Sequence, residues 1–438
     1  MKKFLVFLLI IVLFTVFFAA GCRTKQSPKS ASQDKIELVY YRLYDNEEIF
    51  APLIQEFQSK NRNVRISYRK FTDPVEYENL ILNELAEGEG PDIFSLTSTN
   101  MVKHVKKLIP MPEDMMTTET FQKTFVNVAG DDLIFADADG QSQIYGVPLS
   151  VDTLAIFYNK KLYEEKIPSR GFPAATWDEL QDDVYKLTKR DNSFERFETA
   201  GIAMGRADNI SHAADILYLL MLQEGAEFYD DGFTTAIFAN NQVGAGGTLP
   251  TNLGAKALEF YTGFAVPQNK QYSWNLALSD PASSGKEITT FAKGKVAMIA
   301  GYSFTYQQIL DQIGELDRFG VSHISKNDIG IALMPQFSDD SGSRESYANY
   351  FAEVVSRNTA HPREAWVFLQ FLSSKENIAY YGEKTRRPTS RRDLIEEQSR
   401  DPLFGVFAKQ LGFARSVPMV DTVKYEEIFK TAIGNALD

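Results

Sequence analysis

Between residues 36 and 96, apolar residues alternate between strand-like and helix-like spacing. The pattern predicts strand, helix, strand, helix and strand, in that order, at residues 36–41, 49–57, 64–68, 77–85 and 92–96. Such an order predicts a parallel β-sheet with helices on both faces. Ligands of these sheets bind beyond the carboxyl ends of the strands. Residues 41–45 and 97–100 are therefore expected near a site.

The first 22 residues have the features of an export signal. Lys2 and Lys3 precede an apolar run at residues 4–20, and Ala-Ala-Gly then leads into Cys22. This ending resembles a bacterial lipobox, in which the cysteine is lipidated before cleavage, although Ala19 stands where leucine is usual. The alternative is an uncleaved membrane anchor, because the run has the minimum length of a span. We favour the lipoprotein, since Cys22 is the only cysteine of the chain.

Composition excludes several classes of protein. A length of 438 residues allows two or three domains. The net charge of −12 gives no basic face for nucleic acid, so no nucleic-acid partner is expected. A single cysteine excludes an intramolecular disulfide and a Cys-based metal cluster. Residues 23–35 are polar and predict a flexible tether between the membrane and the globular part.

Sequence motifs for catalysis or nucleotide binding are absent. The glycine-rich stretch at residues 244–247 lacks the lysine of a phosphate loop, and no Gly-x-Ser-x-Gly elbow occurs. The four histidines form no His-x-x-x-His pair, so neither a metal nor a cofactor is expected. A carboxylate pair for glycoside hydrolysis stays open, because that geometry forms in space.

Five motifs occur in order along the chain. The most specific is Tyr-Gly-Val-Pro-Leu-Ser-Val-Asp-Thr-Leu at residues 145–154, continuing to residue 162. The others are Gly-Pro-Asp-Ile (90–93), Thr-Trp-Asp-Glu-Leu (176–180), Phe-Ala-Lys-Gly-Lys-Val-Ala-Met (291–298) and the helix pattern at 365–374. Taken in order, these motifs resemble the maltose-binding type of extracellular solute-binding proteins, the family-1 group that serves ABC sugar importers.

The resemblance implies two α/β lobes of the type II periplasmic-binding-protein fold, with parallel or mixed sheets, helices outside them and the ligand cleft at the hinge. It places chain crossings near Ser150, residues 333–335 and residues 357–361. The first lobe is then expected at 36–150 and 333–358, and the second at 151–332 and 359–438. The implied molecule is a lipid-anchored monomer, not an enzyme, that delivers its ligand to ABC permease subunits by lobe closure.

Sugar sites combine flat aromatic rings with fixed polar groups, which guides the choice of site residues. Asp152 interrupts an apolar run where the family has an acidic ligand contact. The 301–304 segment falls where the family has a stacking tryptophan, and Tyr302 and Phe304 compete for that role. Trp274 stands in a polar stretch and is expected to be exposed in the cleft. The remaining candidates follow predicted strands or precede the third crossing: Tyr44, Asp45, Thr99, Asn100, Tyr347, Asn349 and Tyr350.

Thr99 and Asn100 replace an Asp-Arg pair of the maltose binders, which argues against a maltose-like specificity. Two other functions stay open. One is an anchored glycosidase, and the other is a receptor of the same fold that serves a sensor or binds peptides or polyamines.

Overall fold

The computed structural model describes residues 35–191, 196–230, 232–244, 249–278, 286–338 and 340–438. The predicted signal, Cys22 and all of the predicted tether except Lys35 lie outside them. The strands are β1 (Ile36–Leu43), β2 (Val64–Phe71), β3 (Ile93–Thr97), β4 (Ile134–Ala136), β5 (Ser142–Ile144), β6 (Val147–Pro148), β7 (Asp152–Thr153), β8 (Ala155–Asn159), β9 (Lys189–Arg190), β10 (Phe197–Ile202), β11 (Asn241–Gln242), β12 (Thr251–Asn252), β13 (Val296–Gly301), β14 (Ile329–Ala332), β15 (Ser346–Asn349), β16 (Phe351–Val355) and β17 (Ala414–Arg415).

The α-helices surround these strands. They are α1 (Glu47–Lys60), α2 (Pro74–Ala86), α3 (Met101–His104), α4 (Thr118–Thr124), α5 (Asn127–Leu133), α6 (Lys160–Lys166), α7 (Trp177–Leu187), α8 (Ala213–Gln223), α9 (Leu253–Thr262), α10 (Lys286–Ala292), α11 (Thr305–Arg318), α12 (Pro362–Leu372), α13 (Lys375–Thr385), α14 (Arg392–Gln398), α15 (Gly405–Gln410) and α16 (Thr422–Asn435). Among the residues that the structure describes, none of the helices combines the length and the apolar character of a membrane span.

The first lobe is built on the sheet β2-β1-β3-β16-β6. Strands β1, β2 and β3 run parallel, as the alternation at residues 36–96 predicts, and β16 and β6 add antiparallel partners. Helices cover the sheet because each presents an apolar stripe to it. Two of these helices also contact each other, with 4.9 Å between the ring centroids of Phe57 on α1 and Phe368 on α12.

The second lobe is built on the sheet β14-β8-β13-β10-β9. β10 and β13 are parallel, whereas β8 runs antiparallel to both β13 and β14. Helix α8 is apolar over most of its surface, apart from Asp215 in its first turn, and lies buried in this lobe's core. The two separate cores and their mixed sheets confirm the predicted two-lobed α/β fold.

The lobes are joined by a three-stranded sheet, β17-β15-β7, which we call the hinge sheet. At β7, the chain leaves the first core at Val151 and enters the second at Leu154. At β15 it returns, since Tyr347 packs in the second core and Ala348 in the first. The β17 segment leads back into the second lobe, with Ala414 in the first core and Val417 in the second core.

Two expected crossings are misplaced. Met334 still packs in the second core, so the return crossing lies at β15 and not at residues 333–335. The chain does not cross at residues 357–361, because Val355 before them and Trp366 after them both belong to the first core. The assignment of all of 359–438 to the second lobe is therefore wrong: α12, α13 and α14 lie in the first lobe. The apolar face of α12 finds its partners on β1 and α1.

Candidate functional site

In both lobes, the carboxyl ends of the parallel strands point toward the hinge sheet. In the first lobe, the sheet edge at these ends holds residues 44–45 after β1 and residues 98–100 after β3. Phe351 pairs with Thr97 there, so the start of β16 lies at the same edge. In the second lobe it holds residues 302–304 after β13, next to the start of β8, where Ala155 pairs with Gly301. The segments predicted from the strand ends are thus brought to one place, the hinge edge of the two lobes.

Gln410 holds the hinge sheet together from inside. Its side chain is fully buried, and its amide nitrogen donates to Thr153 Oγ1 at 3.0 Å and to the carbonyl oxygen of Leu154 at 2.8 Å. Its amide oxygen accepts from the backbone N–H of Met334 at 3.1 Å, and its own carbonyl oxygen accepts from the hydroxyl of Ser346 at 3.2 Å. Gln410 thus connects β7, β15 and the segment at Met334, and both polar ends of its buried amide are satisfied.

Tyr44 presents a ring at the hinge edge of the first lobe. Its side chain is 45% exposed, and it contacts Phe351 edge-on, with 6.1 Å between ring centroids. The backbone of Tyr44 has φ of 71°, a left-handed conformation that is uncommon for a tyrosine. Such strained backbone occurs often at ligand sites.

Asp45 is buried behind Tyr44. Its carboxylate forms ion pairs with Arg42 at 2.7 Å and with Arg387 at 3.1 Å, and it accepts from the Tyr381 hydroxyl at 2.7 Å. Burial opposes ionisation of Asp45, but the two guanidinium groups and the Tyr381 hydroxyl hold its pKa below the usual value. Asp45 was predicted as a ligand contact; in this structure its oxygens bond within the first lobe.

A second carboxylate balances the charge of this cluster. Glu353 of β16 is fully buried, forms an ion pair with Arg42, and accepts from the Tyr40 hydroxyl at 2.7 Å. The two arginines, Arg42 and Arg387, are thus matched by two carboxylates, which is what allows four charges to lie inside the lobe.

Thr99 and Asn100 form a 3-10 turn after β3 and are both buried. The carbonyl oxygen of Thr99 accepts from the backbone N–H of Met419 at 2.7 Å, which ties the segment after β17 to the first lobe. The side-chain oxygen of Asn100 is buried and has no hydrogen-bond partner among the described residues. A ligand group that donates a hydrogen bond to this oxygen would remove the free-energy cost of leaving it buried and unpaired.

The second-lobe segment after β13 separates the two competing aromatics. Tyr302 is buried, and its hydroxyl donates to Asp215 Oδ2 at 2.9 Å. Phe304 is 41% exposed and lies nearly parallel to Tyr302, with 5.7 Å between centroids and 22° between planes. Phe304 therefore offers the accessible ring, and Tyr302 supports it from behind.

Asp152 connects the hinge sheet to this aromatic segment. Its carboxylate accepts from the Ser303 hydroxyl at 2.5 Å and from the Ser303 backbone N–H at 3.1 Å. Burial raises the pKa of Asp152 to about 6, although the bonds from Ser303 and the charge of Arg387 act in the opposite direction. The side chain predicted to accept ligand hydroxyls is thus bonded within the protein, and it fixes the position of the turn that carries Phe304.

Four other predicted contacts have different surroundings. The expectation of an exposed indole at Trp274 is wrong: the ring is fully buried in the second core, and its Nε1 donates to Asn209 Oδ1 at 2.9 Å. Tyr347 is buried against Tyr218, and the hydroxyl of Tyr350, also buried, donates to Asp132. Asn349 is partly exposed at the end of β15, opposite Asp152 in the hinge sheet.

Three residues at this edge were not predicted: Arg387, His212 and Asp215. Arg387 follows α13, 342 positions from Asp45, so no local pattern indicates the pair. His212 and Asp215 are three positions apart at the start of α8, which places both on one side of the helix. The spacing of His212 and Asp215 was the feature of the sequence from which this pair could have been predicted. Nowhere in the described ranges do three or more His, Cys, Asp or Glu side chains gather as metal ligands.

Comparison with known proteins gives one family match and several similar folds. A family described as bacterial extracellular solute-binding protein matches residues 52–405. A putative binding protein of Brucella abortus is 22% identical over 330 residues, which cover 75% of this chain and 69% of that protein.

Solved structures resemble the chain over most of its length. The sugar-binding protein MalE from Xanthomonas citri superposes with a TM-score of 0.69 at 19% identity, covering 91% of each chain. An ABC transporter solute-binding protein from Thermotoga lettingae, bound with alpha-D-tagatose, superposes with a TM-score of 0.66 at 19% identity. The match covers 92% of this chain and 94% of that one. These similarities support the two-lobed fold.

Proposed function

Because the chain belongs to the family of bacterial extracellular solute-binding proteins, we infer that it captures a sugar or an oligosaccharide and serves an ABC-type importer. The solute enters between the lobes at the hinge edge. Closure of the lobes then forms the state that membrane permease subunits recognise. The protein acts by binding, as a monomer, and without chemical change of the solute.

The observation that carries this proposal is the exposed ring at the hinge edge of each lobe. Tyr44 follows β1 of the first lobe, and Phe304 follows β13 of the second. Between them, Asp45 forms an ion pair with Arg387, the charge of Arg387 acts to lower the pKa of Asp152, and Asp152 accepts a hydrogen bond from the Ser303 hydroxyl. Flat rings on both lobes suit the CH faces of sugar rings, and polar groups between them suit hydroxyls.

Similar proteins support the same class of ligand. The Xanthomonas citri protein is a sugar-binding protein, and the Thermotoga lettingae protein holds tagatose. At the hinge edge of this chain, the charged groups of Asp45 and Asp152 are already paired inside the protein. An uncharged ligand fits such a surface, because it leaves no new charge without a partner.

Export and anchoring follow from the N-terminal sequence. The charged start, the apolar run at residues 4–20 and the small residues before Cys22 suit a lipoprotein signal. We propose that the mature protein begins at lipidated Cys22 and faces the outside of the cell membrane. A polar segment at residues 23–35 then allows the lobes to reach the permease.

A thermal-shift panel tests the ligand class. It contains tagatose, maltose, maltotriose, mannobiose, a tripeptide mixture and spermidine, since a ligand that binds the folded state raises the melting temperature. A saccharide is expected to raise the melting temperature. Chromatography after incubation with the protein is expected to show that the saccharide itself is unchanged. A shift with only peptides or spermidine would overturn the sugar assignment, and release of smaller sugars would identify a glycosidase.

A further inference from the structure

His212 lies beside the exposed ring of Phe304. It directly precedes α8, and its side chain is 19% exposed. Its ring contacts Tyr302 edge-on at 5.0 Å and Phe304 edge-on at 6.0 Å, between centroids. The imidazole thus touches both members of the stacked pair, which we call the aromatic platform.

Asp215 joins His212 to the buried ring of this platform. Asp215 Oδ2 lies 3.3 Å from His212 Nδ1, and the same oxygen accepts from the Tyr302 hydroxyl at 2.9 Å. A protonated imidazole places an N–H and a positive charge opposite this carboxylate. A neutral imidazole loses the charge, and with its proton on Nε2 it turns a lone pair toward the same oxygen.

Two more acidic groups of the described residues act on His212, and they lie on two further helices. Glu287 of α10 and Glu426 of α16 act on the imidazole together with Asp215 of α8. Glu287 also fixes the backbone before His212, because it accepts from the Ser211 backbone N–H at 2.9 Å and from the Ser211 hydroxyl at 3.3 Å. Burial lowers the pKa of His212, but the bond to Asp215 and these three charges together raise it above the usual value.

We propose that His212 is a positioning residue for the aromatic platform, and that its protonated form holds Tyr302 and Phe304 in the geometry that binds the ligand. This inference rests on the proposed function and adds regulation by pH to the same site. When pH rises through the pKa of His212, the imidazole loses its charge and its pair with Asp215 weakens. Tyr302 is then held less firmly, and ligand affinity falls. By linkage, a bound ligand raises the pKa of His212 further.

Calorimetry across pH tests the effect on binding. The probe is the panel saccharide with the largest thermal shift, titrated from pH 5.5 to 9 into the wild type, His212→Gln and His323→Gln. His323 is the matched control, since it is a partly exposed histidine of the second lobe whose ring bonds to the Ile324 carbonyl oxygen. The wild type and His323→Gln are expected to bind about tenfold more weakly at high pH. His212→Gln is expected to bind weakly at every pH, and a wild-type profile in this variant would overturn the proposal.

NMR of the ligand-free protein tests the same idea without a saccharide. With ¹³C-labelled histidine and phenylalanine, the four imidazoles are resolved, and His212→Gln and Phe304→Leu assign the two signals. The chemical shift of the Phe304 ring is expected to change with pH at the same midpoint as the titration of His212. In His212→Gln this change is expected to be absent. If Phe304 does not respond while His212 titrates, the proposal is wrong. If the rings titrate together but no panel saccharide binds, the sugar assignment fails and the positioning role stands.

Discussion

The carboxylate of Asp152 accepts both the hydroxyl and the backbone N–H of Ser303, at 2.5 Å and 3.1 Å. This contact ties the first crossing of the chain to the turn that carries Phe304. It makes Asp152 part of the hinge before any ligand arrives, whereas the sequence suggested a group free to accept ligand hydroxyls.

Asp152→Ala is therefore expected to destabilise the ligand-free protein. Removal of the carboxylate leaves two buried donors of Ser303 unpaired, and each of them costs about 1–3 kcal/mol of unfolding free energy. Asp114→Ala is the control, because the ion pair of Asp114 with Arg363 is well exposed and contributes little to stability. Urea unfolding measures both. Equal stability of Asp152→Ala and the wild type would contradict the role of Asp152 in the hinge.

Asp132 gives the hinge a pH dependence. This buried carboxyl group accepts hydrogen bonds from the Tyr350 hydroxyl, at 2.7 Å, and from the Ser416 hydroxyl. Burial raises the pKa of Asp132 to about 7. Since the folded pKa lies above the unfolded value of about 3.9, the folded state holds the proton more tightly. Its contribution to stability is complete below pH ~4 and is lost as pH rises through 7.

Asp132→Asn removes this titration while keeping an oxygen that can accept one of the two hydroxyls. The unfolding free energy of the wild type, relative to that of the variant, is expected to fall by up to about 1.4 kcal/mol per pH unit between pH 4 and 7. Denaturant melts at four pH values measure this difference. Parallel pH profiles for the two proteins would rule out a buried, protonated Asp132.

Gln410→Leu tests the buried amide that connects the crossings. The change leaves the carbonyl oxygen of Leu154 and the N–H of Met334 without their partner. A loss of about 3 kcal/mol in unfolding free energy is expected, since each unpaired buried group costs about 1–3 kcal/mol. Gln307→Leu, at an exposed position on α11, is expected to change stability by less than about 0.5 kcal/mol. Equal effects of the two changes would argue against the role of Gln410.

Cys22→Ser tests the proposed anchor. Because the chain has no other thiol, the variant is expected to incorporate no labelled fatty acid and to appear in the soluble fraction. Metabolic labelling of cells that express either form measures this. Label on the serine variant would refute the lipoprotein assignment.

The sequence predicts local elements of this fold well, because periodic apolar spacing reports which face of a strand or helix is buried. The strands that begin at Ile36, Val64 and Ile93 all form as expected. The same spacing does not say which sheet an apolar helix covers. The lobe of α12 was taken from the resemblance, which implied a crossing at residues 357–361, and that assignment is wrong.

The site is harder to predict, because its contacts join distant parts of the chain. The polar neighbours of Trp274 predict an exposed ring, yet its Nε1 donates to Asn209, 65 positions away, and the ring is buried. The pair of Asp45 and Arg387 has no local signal either. By contrast, the strand before Tyr44 predicts its place at the hinge edge, whereas Phe304 is a candidate because its segment resembles the one in which the family has a stacking tryptophan. Both rings are exposed in the structure.

The central claim is that a saccharide binds at the hinge edge against the ring of Phe304. Calorimetry with the tightest-binding panel saccharide on Phe304→Leu and Phe319→Leu tests it. Phe319 is 75% exposed and follows the far end of α11, a 14-residue helix about 21 Å long, so it lies away from the hinge. Phe304→Leu is expected to lose about 1–2 kcal/mol, roughly a five- to thirtyfold rise in Kd, while Phe319→Leu binds as the wild type does. Unchanged affinity of Phe304→Leu, or an equal loss in both variants, would contradict the claim.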